Sequence, residues 1–374
     1  MRATTLLALI FAFSTCIESS GSRQPWRLPV GHSLLYPLPL DAGHILLCIR
    51  RDRRHLLAAV TITNGTIDWS WPPPVDTLPA LYYNARVVEV GNTVYVPDGT
   101  TLHGIDGTYG HTVFTHTAST PGSPYLQPTT DGQVWRAYGG PIPYTLTYAS
   151  DGSAPDTVMT LRSASFPGTP GTAYLLRTPL PTPDSGYVAA VTEYAPLEHT
   201  RAYLLSHTGD ALSAYPGNNK GYGITKPPLR LHDNNLVWVA FDQVFSTDPT
   251  GMKLRWRRIL PRDMLTSLPT ADSHTLYLAL EDEFLYALDL QDGTTRWRAP
   301  TAGTPSRVIL HDGSTWLIGG SNGRLYRFDV ESGKPLPLPT NLPPPPYARS
   351  FGIVEGYLIL CDYRYWYGVP LSQH

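Results

Sequence analysis

Residues 285–297 read Leu-Tyr-Ala-Leu-Asp-Leu-Gln-Asp-Gly-Thr-Thr-Arg-Trp, and this short stretch constrains the chain more than any other. An alternating apolar run, an Asp-Gly turn and a second run carrying a Trp spell strand, tight turn, strand. The unit returns as Asp248-Pro-Thr-Gly251-Met-Lys-Leu-Arg-Trp256, and without its Trp as Leu325-Tyr-Arg-Phe-Asp-Val-Glu-Ser-Gly333. Turn glycines in register, Gly65, Gly107, Gly152, Gly209, Gly251, Gly293 and Gly333, are separated by 42, 45, 57, 42, 42 and 40 residues. A four-stranded unit recurring every 40–45 residues is the period of a β-propeller blade.

The repeat makes 374 residues one large ring rather than two ordinary domains. The 37 Pro and 32 Gly suit short strands broken by turns. The long interval between Gly152 and Gly209 holds Phe166-Pro-Gly-Thr-Pro-Gly171 and Pro179-Leu-Pro-Thr-Pro183, both read as loop insertions. With 16% charged residues and a net charge of −2, no bulk field points to nucleic acid or to an acidic membrane.

In the clearest copy the inner strand is expected over residues 304–310, the second over 315–319 and the third over 324–330. An outer strand should follow the turn at 331–334. The last repeat has strands near 350–354, 357–361 and 365–369, and then the chain stops short of an outer strand. Gln24-Pro-Trp26-Arg-Leu-Pro29 matches Arg296-Trp297-Arg-Ala-Pro300, an outer strand with its Trp. The N-terminal strand is therefore expected to complete the last blade, which closes the ring and hides the seam's sheet edge. The fold expected is all-β, a propeller of eight four-stranded blades.

The Leu-Tyr-Ala-Leu-Asp run, the turn Gly and the Trp over 285–297 resemble the PQQ-like, quinoprotein-type propeller repeat. The resemblance is strongest over residues 229–340. It implies the fold and says almost nothing of activity. Quinoprotein dehydrogenases of the family hold pyrroloquinoline quinone and calcium in the central channel, often beside two adjacent cysteines. This chain has no Cys-Cys pair, no Cys-x-x-Cys-His and no matching ligand set, so it is read as a non-dehydrogenase member without a cofactor. Cys48 and Cys361 each end the second strand of a blade. Their side chains should face opposite sides of their sheets, at a separation no disulfide spans, so two buried thiols are expected.

Arg2, an apolar run over residues 6–13 and Ser19-Ser-Gly21 have the form of an export signal. Phe13-Ser-Thr-Cys16 also resembles a bacterial lipobox, with Phe and Thr at unusual places. Plain secretion and lipidation of Cys16 both remain open. The expected division is a signal over 1–21 and one propeller over 22–374. It would be exported, and periplasmic or tethered to an outer membrane in a bacterium. No stretch is long enough for a transmembrane helix.

Chemistry is hard to place on this chain. Trp26, Trp69, Trp256 and Trp297 recur on outer strands and are expected to dock blade on blade through their indole N–H groups. Glu281-Asp-Glu283 and Asp242 sit in turns, where solvated carboxylates are common. The histidines, His232 and His274 among them, form no set at zinc-ligand spacing. No Gly-x-Ser-x-Gly or phosphate-loop motif occurs. The most unusual turn is Arg50-Arg51-Asp-Arg53-Arg54-His55, with Arg364 in its counterpart in the neighbouring last blade. Guanidinium forks here could receive an anion or an acidic partner. Long Pro-rich loops, at residues 71–75, 120–125, 215–220 and 342–347, fall on the same face. The function read from these features is a monomeric, non-enzymatic scaffold presenting loops to a protein partner in a cell envelope. In fold and export it is similar to the propeller lipoprotein of the bacterial outer-membrane barrel-assembly machinery. A carbohydrate-binding or carbohydrate-active propeller is the alternative, and a quinone-binding protein stands behind it.

Overall fold

The structure is a computed structural model that describes residues 24–371 apart from 30–35, 41–42, 52–53, 72–86, 123–125, 130, 139–143, 162–172, 176–178, 184–185, 194–198, 215–227, 241–242, 262–268, 304–305, 321, 341, 343–347, 349 and 363. At 54–55, 173–175, 192–193, 199–201 and 213–214 it describes the backbone alone. The export segment with Cys16, Arg53 and most of the Pro-rich loops lie outside the described residues.

Every described element is a strand or a turn, and the strands form eight antiparallel sheets. Numbered along the chain, blades 1 to 7 span residues 38–71, 88–117, 127–160, 173–214, 229–259, 270–300 and 309–329. Blade 8 combines Ser350–Val354, Tyr357–Cys361 and Tyr365–Pro370 with the N-terminal strand Trp26–Pro29, which pairs Trp26 with Gly368 and Pro29 with Tyr365. The ring closes as the sequence pattern expects.

Closure is visible in the core itself. The buried apolar residues form eight clusters, and each joins two consecutive blades. Ile45 and Leu47 of blade 1 pack on Ile359 and Trp366 of blade 8, so eight blades share eight interfaces. Strand alternation places odd and even residues on opposite faces, and both faces are buried. Near-continuous apolar runs such as Ile45–Ile49 and Leu276–Leu280 follow from that. Cys361 faces the interface between blades 8 and 1, while Cys48 faces that between blades 1 and 2. Neither forms a disulfide, and both are buried.

Three details depart from the sequence reading. Blade 7 keeps three strands, Ile309–His311, Ser314–Ile318 and Leu325–Asp329. Its outer position is taken by residues 334–337, with one bridge from Phe328 to Pro335 and one bond from the Leu336 N–H to the Arg327 carbonyl (2.8 Å). Alternate prolines there remove the donors a full strand needs. In blade 4, Leu180–Pro181 is not loop but strand, continuing the inner edge begun by Ala173–Leu175 against the same second strand. In blade 2 the turn glycine with positive φ is Gly110 (φ 72°), three residues beyond Gly107.

That last difference exposes the rule of the turn. In blades 1, 2, 6 and 7 the turn glycine's N–H donates to the carbonyl four residues back, Gly65 to Thr61, Gly110 to Asp106, Gly293 to Asp289 and Gly333 to Asp329, each at 2.9 Å. In blades 3, 4 and 5 the bond reaches back only three residues, as from Gly251 to Asp248. The wider turn leaves the carbonyl at its second position open to a donor from outside the turn. An indole from the preceding blade supplies it: Trp26 donates to Ile62 (2.5 Å), Trp69 to Gly107 (2.9 Å), Trp256 to Leu290 (2.8 Å) and Trp297 to Val330 (2.8 Å). The ring lies flat on the turn glycine, where a Cβ would come within 2.4–2.6 Å of it. In the narrow-turn blades 3 and 4, Phe114 and Met159 hold the corresponding place.

Candidate functional sites on the two faces

The propeller has two faces of different make-up. One carries the turns from inner to second strand and from third to outer strand. The other carries the hairpins from second to third strand and the loops that lead to the next blade.

On the first face an open cleft of about 450 Å³ lies between blades 5 and 6. His232 and Asp233 border it from blade 5, and Asp272, Ser273 and His274 from the matching turn of blade 6. Arg255 and Arg296, each one residue before a docking Trp, close the sides. Arg255 pairs with Asp233 (3.0 Å), and Arg296 donates to the Thr275 hydroxyl (2.5 Å) and reaches Glu331 (3.4 Å). Asp272 accepts the His274 and Thr275 N–H groups (2.8 and 2.7 Å) through one oxygen and the Tyr277 hydroxyl (2.8 Å) through the other. Burial, and then that bond to a carboxylate, raise the Tyr277 phenol above its ordinary range. The cleft therefore offers donors and acceptors side by side.

The sequence shows His232 and His274 as two of many scattered histidines and does not bring them together. The signal was the repeat itself, because the two lie one repeat length apart on equivalent turns. Among the described residues no group of three or more His, Cys, Asp or Glu could hold a metal ion.

On the second face, Arg50 and Arg51 end a strand of blade 1 and are exposed. Their backbone partners across the hairpin are His55 and Arg54, whose side chains lie outside the described ones. Arg364 stands in the hairpin of blade 8, exposed, its N–H donating to Asp362 (2.5 Å). The two blades are fastened at this seam by the Trp366 indole, which donates to the Cys48 carbonyl (2.9 Å). The described arginines of the candidate patch thus occupy one face in neighbouring blades.

Asp362 also accepts the Tyr365 N–H (2.6 Å) and the Tyr367 hydroxyl (3.0 Å). The Tyr367 phenol is pushed up to about 12 by burial and by this carboxylate. Arg27 lies over the Tyr365 ring at 5.4 Å. Blade 6 repeats the arrangement: Asp282 accepts the Phe284 N–H (3.3 Å) and the Tyr286 hydroxyl (2.6 Å), and Arg298 covers Phe284 at 4.9 Å. The carboxylate at the centre of the Glu281–Glu283 turn is therefore committed to shaping its hairpin. Asp242 lies outside the described residues.

A residue the sequence reading missed ties blade 3 to this same face. Arg136 is fully buried, donates to the carbonyls of Thr101 (2.5 Å) and Gly99 (2.7 Å), and covers Tyr138 at 5.1 Å. Gly122 leaves it room, since a Cβ there would fall 2.5 Å from Nε. An Arg inside an alternating strand carries no sequence mark of such burial.

Known proteins resemble this one in fold. Residues 199–337 match the PQQ-like repeat family described as Outer membrane protein assembly factor BamB. Comparison with curated protein sequences gives no significant match. Among solved structures, BamB from Moraxella catarrhalis superposes with a TM-score of 0.61 at 12% identity, over 91% of this chain and 98% of that one. The quinohemoprotein alcohol dehydrogenase ADHIIG from Pseudomonas putida HK5 gives 0.64 at 12% identity, over 93% of this chain and 76% of that one. The computationally designed protein Ika8 gives 0.62 at 10% identity, over 90% and 97%. At such identities the likeness is one of fold. Over residues 199–337 the repeat matches the PQQ-like type, and the propeller fold is one shared with a dehydrogenase, an assembly factor and a designed protein. Among the described residues no helix is long and apolar enough to cross a membrane.

Proposed function

We propose that this propeller is a non-enzymatic scaffold that presents its hairpin-and-loop face to a protein partner in a cell envelope. The observation that carries the reading is the match of residues 199–337 to the assembly-factor family, on a ring whose repeat carries architecture rather than chemistry. Export through residues 1–21, with Cys16 as a candidate lipid anchor, belongs to the same proposal. Arg50, Arg51 and Arg364 are described, exposed cations on that face, and acidic or carbonyl-rich partner surfaces are what guanidinium groups receive best. Arg53, Arg54 and His55 are included on sequence grounds. The test is crosslinking of tagged protein in its native envelope, followed by mass spectrometry. A partner lost on replacing Arg50, Arg51 and Arg364 together with Ser supports the reading, while a partner retained in full removes these residues from it.

One observation favours a second reading. The cleft between blades 5 and 6 places Arg255, Arg296, His232 and His274 beside three carboxylates. Mixed donors and acceptors in a cleft of ligand size suit a saccharide's hydroxyl groups. Glycan-array binding lost with Arg255→Ala and Arg296→Ala would carry it, and a blank array would end it.

A further inference from the structure

The outer wall of the ring divides into two halves by charge. In blades 5 to 8 its outer segments read Leu-Arg-Trp-Arg-Arg-Ile, Thr-Arg-Trp-Arg-Ala-Pro, Lys-Pro-Leu-Pro (residues 334–337) and Trp-Arg-Leu-Pro, with seven Arg or Lys and no Asp or Glu. In blades 1 to 4 they read Ile-Asp-Trp-Ser-Trp, Thr-Val-Phe-Thr-His-Thr, Asp-Thr-Val-Met-Thr and Ala-Leu-Ser-Ala, with two Asp and no Arg or Lys. Blades 5 to 8 are consecutive, so the cations share one side of the disc. The chain-wide net charge of −2 conceals this, because it is a sum and not a distribution.

The charge is densest on blades 5 and 6, which hold five of the seven cations. Arg255 and Arg296 spend part of their charge on Asp233 and Glu331. Arg257, Arg258 and Arg298 have no acidic partner among the described residues. Arg258 donates to the Gly293 carbonyl (3.0 Å) and Arg298 lies over the Phe284 ring, while Arg257 is simply exposed. On the same strand as Arg257, Ile259 is 69% exposed and Leu254 is 44% exposed. The wall of a closed ring is convex. It cannot enclose a small ligand, and it meets a flat surface along one or two blades. Cations interleaved with exposed aliphatic side chains match a layer of headgroup phosphates over an acyl boundary. A soluble polyanion would answer the charge and leave Ile259 and Leu254 in water.

We propose that the outer wall of blades 5 and 6 docks edge-on against the acidic phospholipid surface of a bilayer. The guanidinium groups meet headgroup phosphates, and Ile259 and Leu254 enter the headgroup layer. The ring then stands on its rim with both faces clear, including the hairpin-and-loop face proposed for the envelope partner. This docking needs neither that partner nor an anchor at Cys16.

Vesicle cosedimentation tests the proposal on the full chain carrying Cys16→Ser, which removes any lipid anchor. Vesicles of phosphatidylcholine alone are compared with equal mixtures of phosphatidylcholine and phosphatidylglycerol. The apolar run over residues 6–13 is common to every variant, so differences between variants read the wall. Binding should favour the acidic vesicles and fall with salt, since screening shortens from about 10 Å at 0.1 M to about 3 Å at 1 M. Each cation near an acidic surface is worth roughly fivefold in affinity, so Arg257→Gln with Arg298→Gln should weaken binding by about twentyfold. Both side chains are exposed, so the fold should hold, and circular dichroism checks it. A polarity-sensitive dye on Ile259→Cys should brighten on acidic vesicles. The same dye on Val113→Cys, exposed on the opposite wall in blade 2, should not. Cys48 and Cys361 are buried and stay unlabelled. Lack of preference for acidic vesicles, undiminished binding by the double variant, or equal dye responses at 259 and 113 would each overturn the proposal. Capture of soluble polyphosphate in place of acidic vesicles assigns the wall to a soluble polyanion and also overturns it.

Discussion

Gly293 and Trp256 give the sharpest test of how the blades are joined. Gly293 has φ 75°, which costs an L-residue roughly 1–2 kcal/mol. A methyl group there would lie 2.6 Å from the Trp256 ring, an overpacking worth about 1–3 kcal/mol. Gly293→Ala should therefore destabilise by about 2–5 kcal/mol. Trp256 is buried and donates to the Leu290 carbonyl, so Trp256→Ala should cost about 3–5 kcal/mol. In the double variant the ring that the methyl strikes is gone, and only the backbone cost of alanine remains. The double should fall short of the sum of the singles by about 1–3 kcal/mol. Urea unfolding followed by far-ultraviolet circular dichroism measures all three. Additivity within about 0.5 kcal/mol would show that indole and glycine do not act as one joint.

Other consequences can be measured on the same protein. Arg136→Met removes the bonds from a buried guanidinium to the Thr101 and Gly99 carbonyls and should cost about 2 kcal/mol by urea unfolding. The imidazole of His103 is held below its usual range, chiefly by burial; Asp98 opposes this and the Arg136 charge adds to it. Because the fold favours its neutral form, stability should be full above about pH 6.5 and should fall as pH drops below it. His103→Gln should flatten that slope, and an unchanged slope would assign it elsewhere. Cys48 and Cys361 should react with a thiol reagent only after unfolding and run alike on reducing and non-reducing gels, since both are buried and neither forms a disulfide.

The ring was legible because its signals repeat. One Trp-bearing outer strand could be recognised at residue 26 and assigned to a blade more than 300 residues away, since propeller topology leaves one place for it. Cys48 and Cys361 could be sent to different interfaces by strand alternation alone. Gly107 was misleading for a physical reason: Asp106-Gly107 has the composition of a tight turn, yet this turn closes from Asp106 to Gly110. Gly107 instead supplies the carbonyl that Trp69 requires. The outer strand of blade 7 reads well until Pro335 and Pro337 remove its donors. The cleft between blades 5 and 6 was invisible residue by residue, because its groups come from separate turns that only the folded ring brings together.

If the hairpin-and-loop face is the one that meets a partner, the two faces must label differently in the native envelope. A photo-crosslinking side chain placed at Arg51, and in a second variant at Ser273 on the opposite face, makes the comparison. One dominant protein adduct is expected from position 51 and none from position 273. Equal labelling from both faces, or adducts from position 273 alone, would show that the partner meets the ring elsewhere.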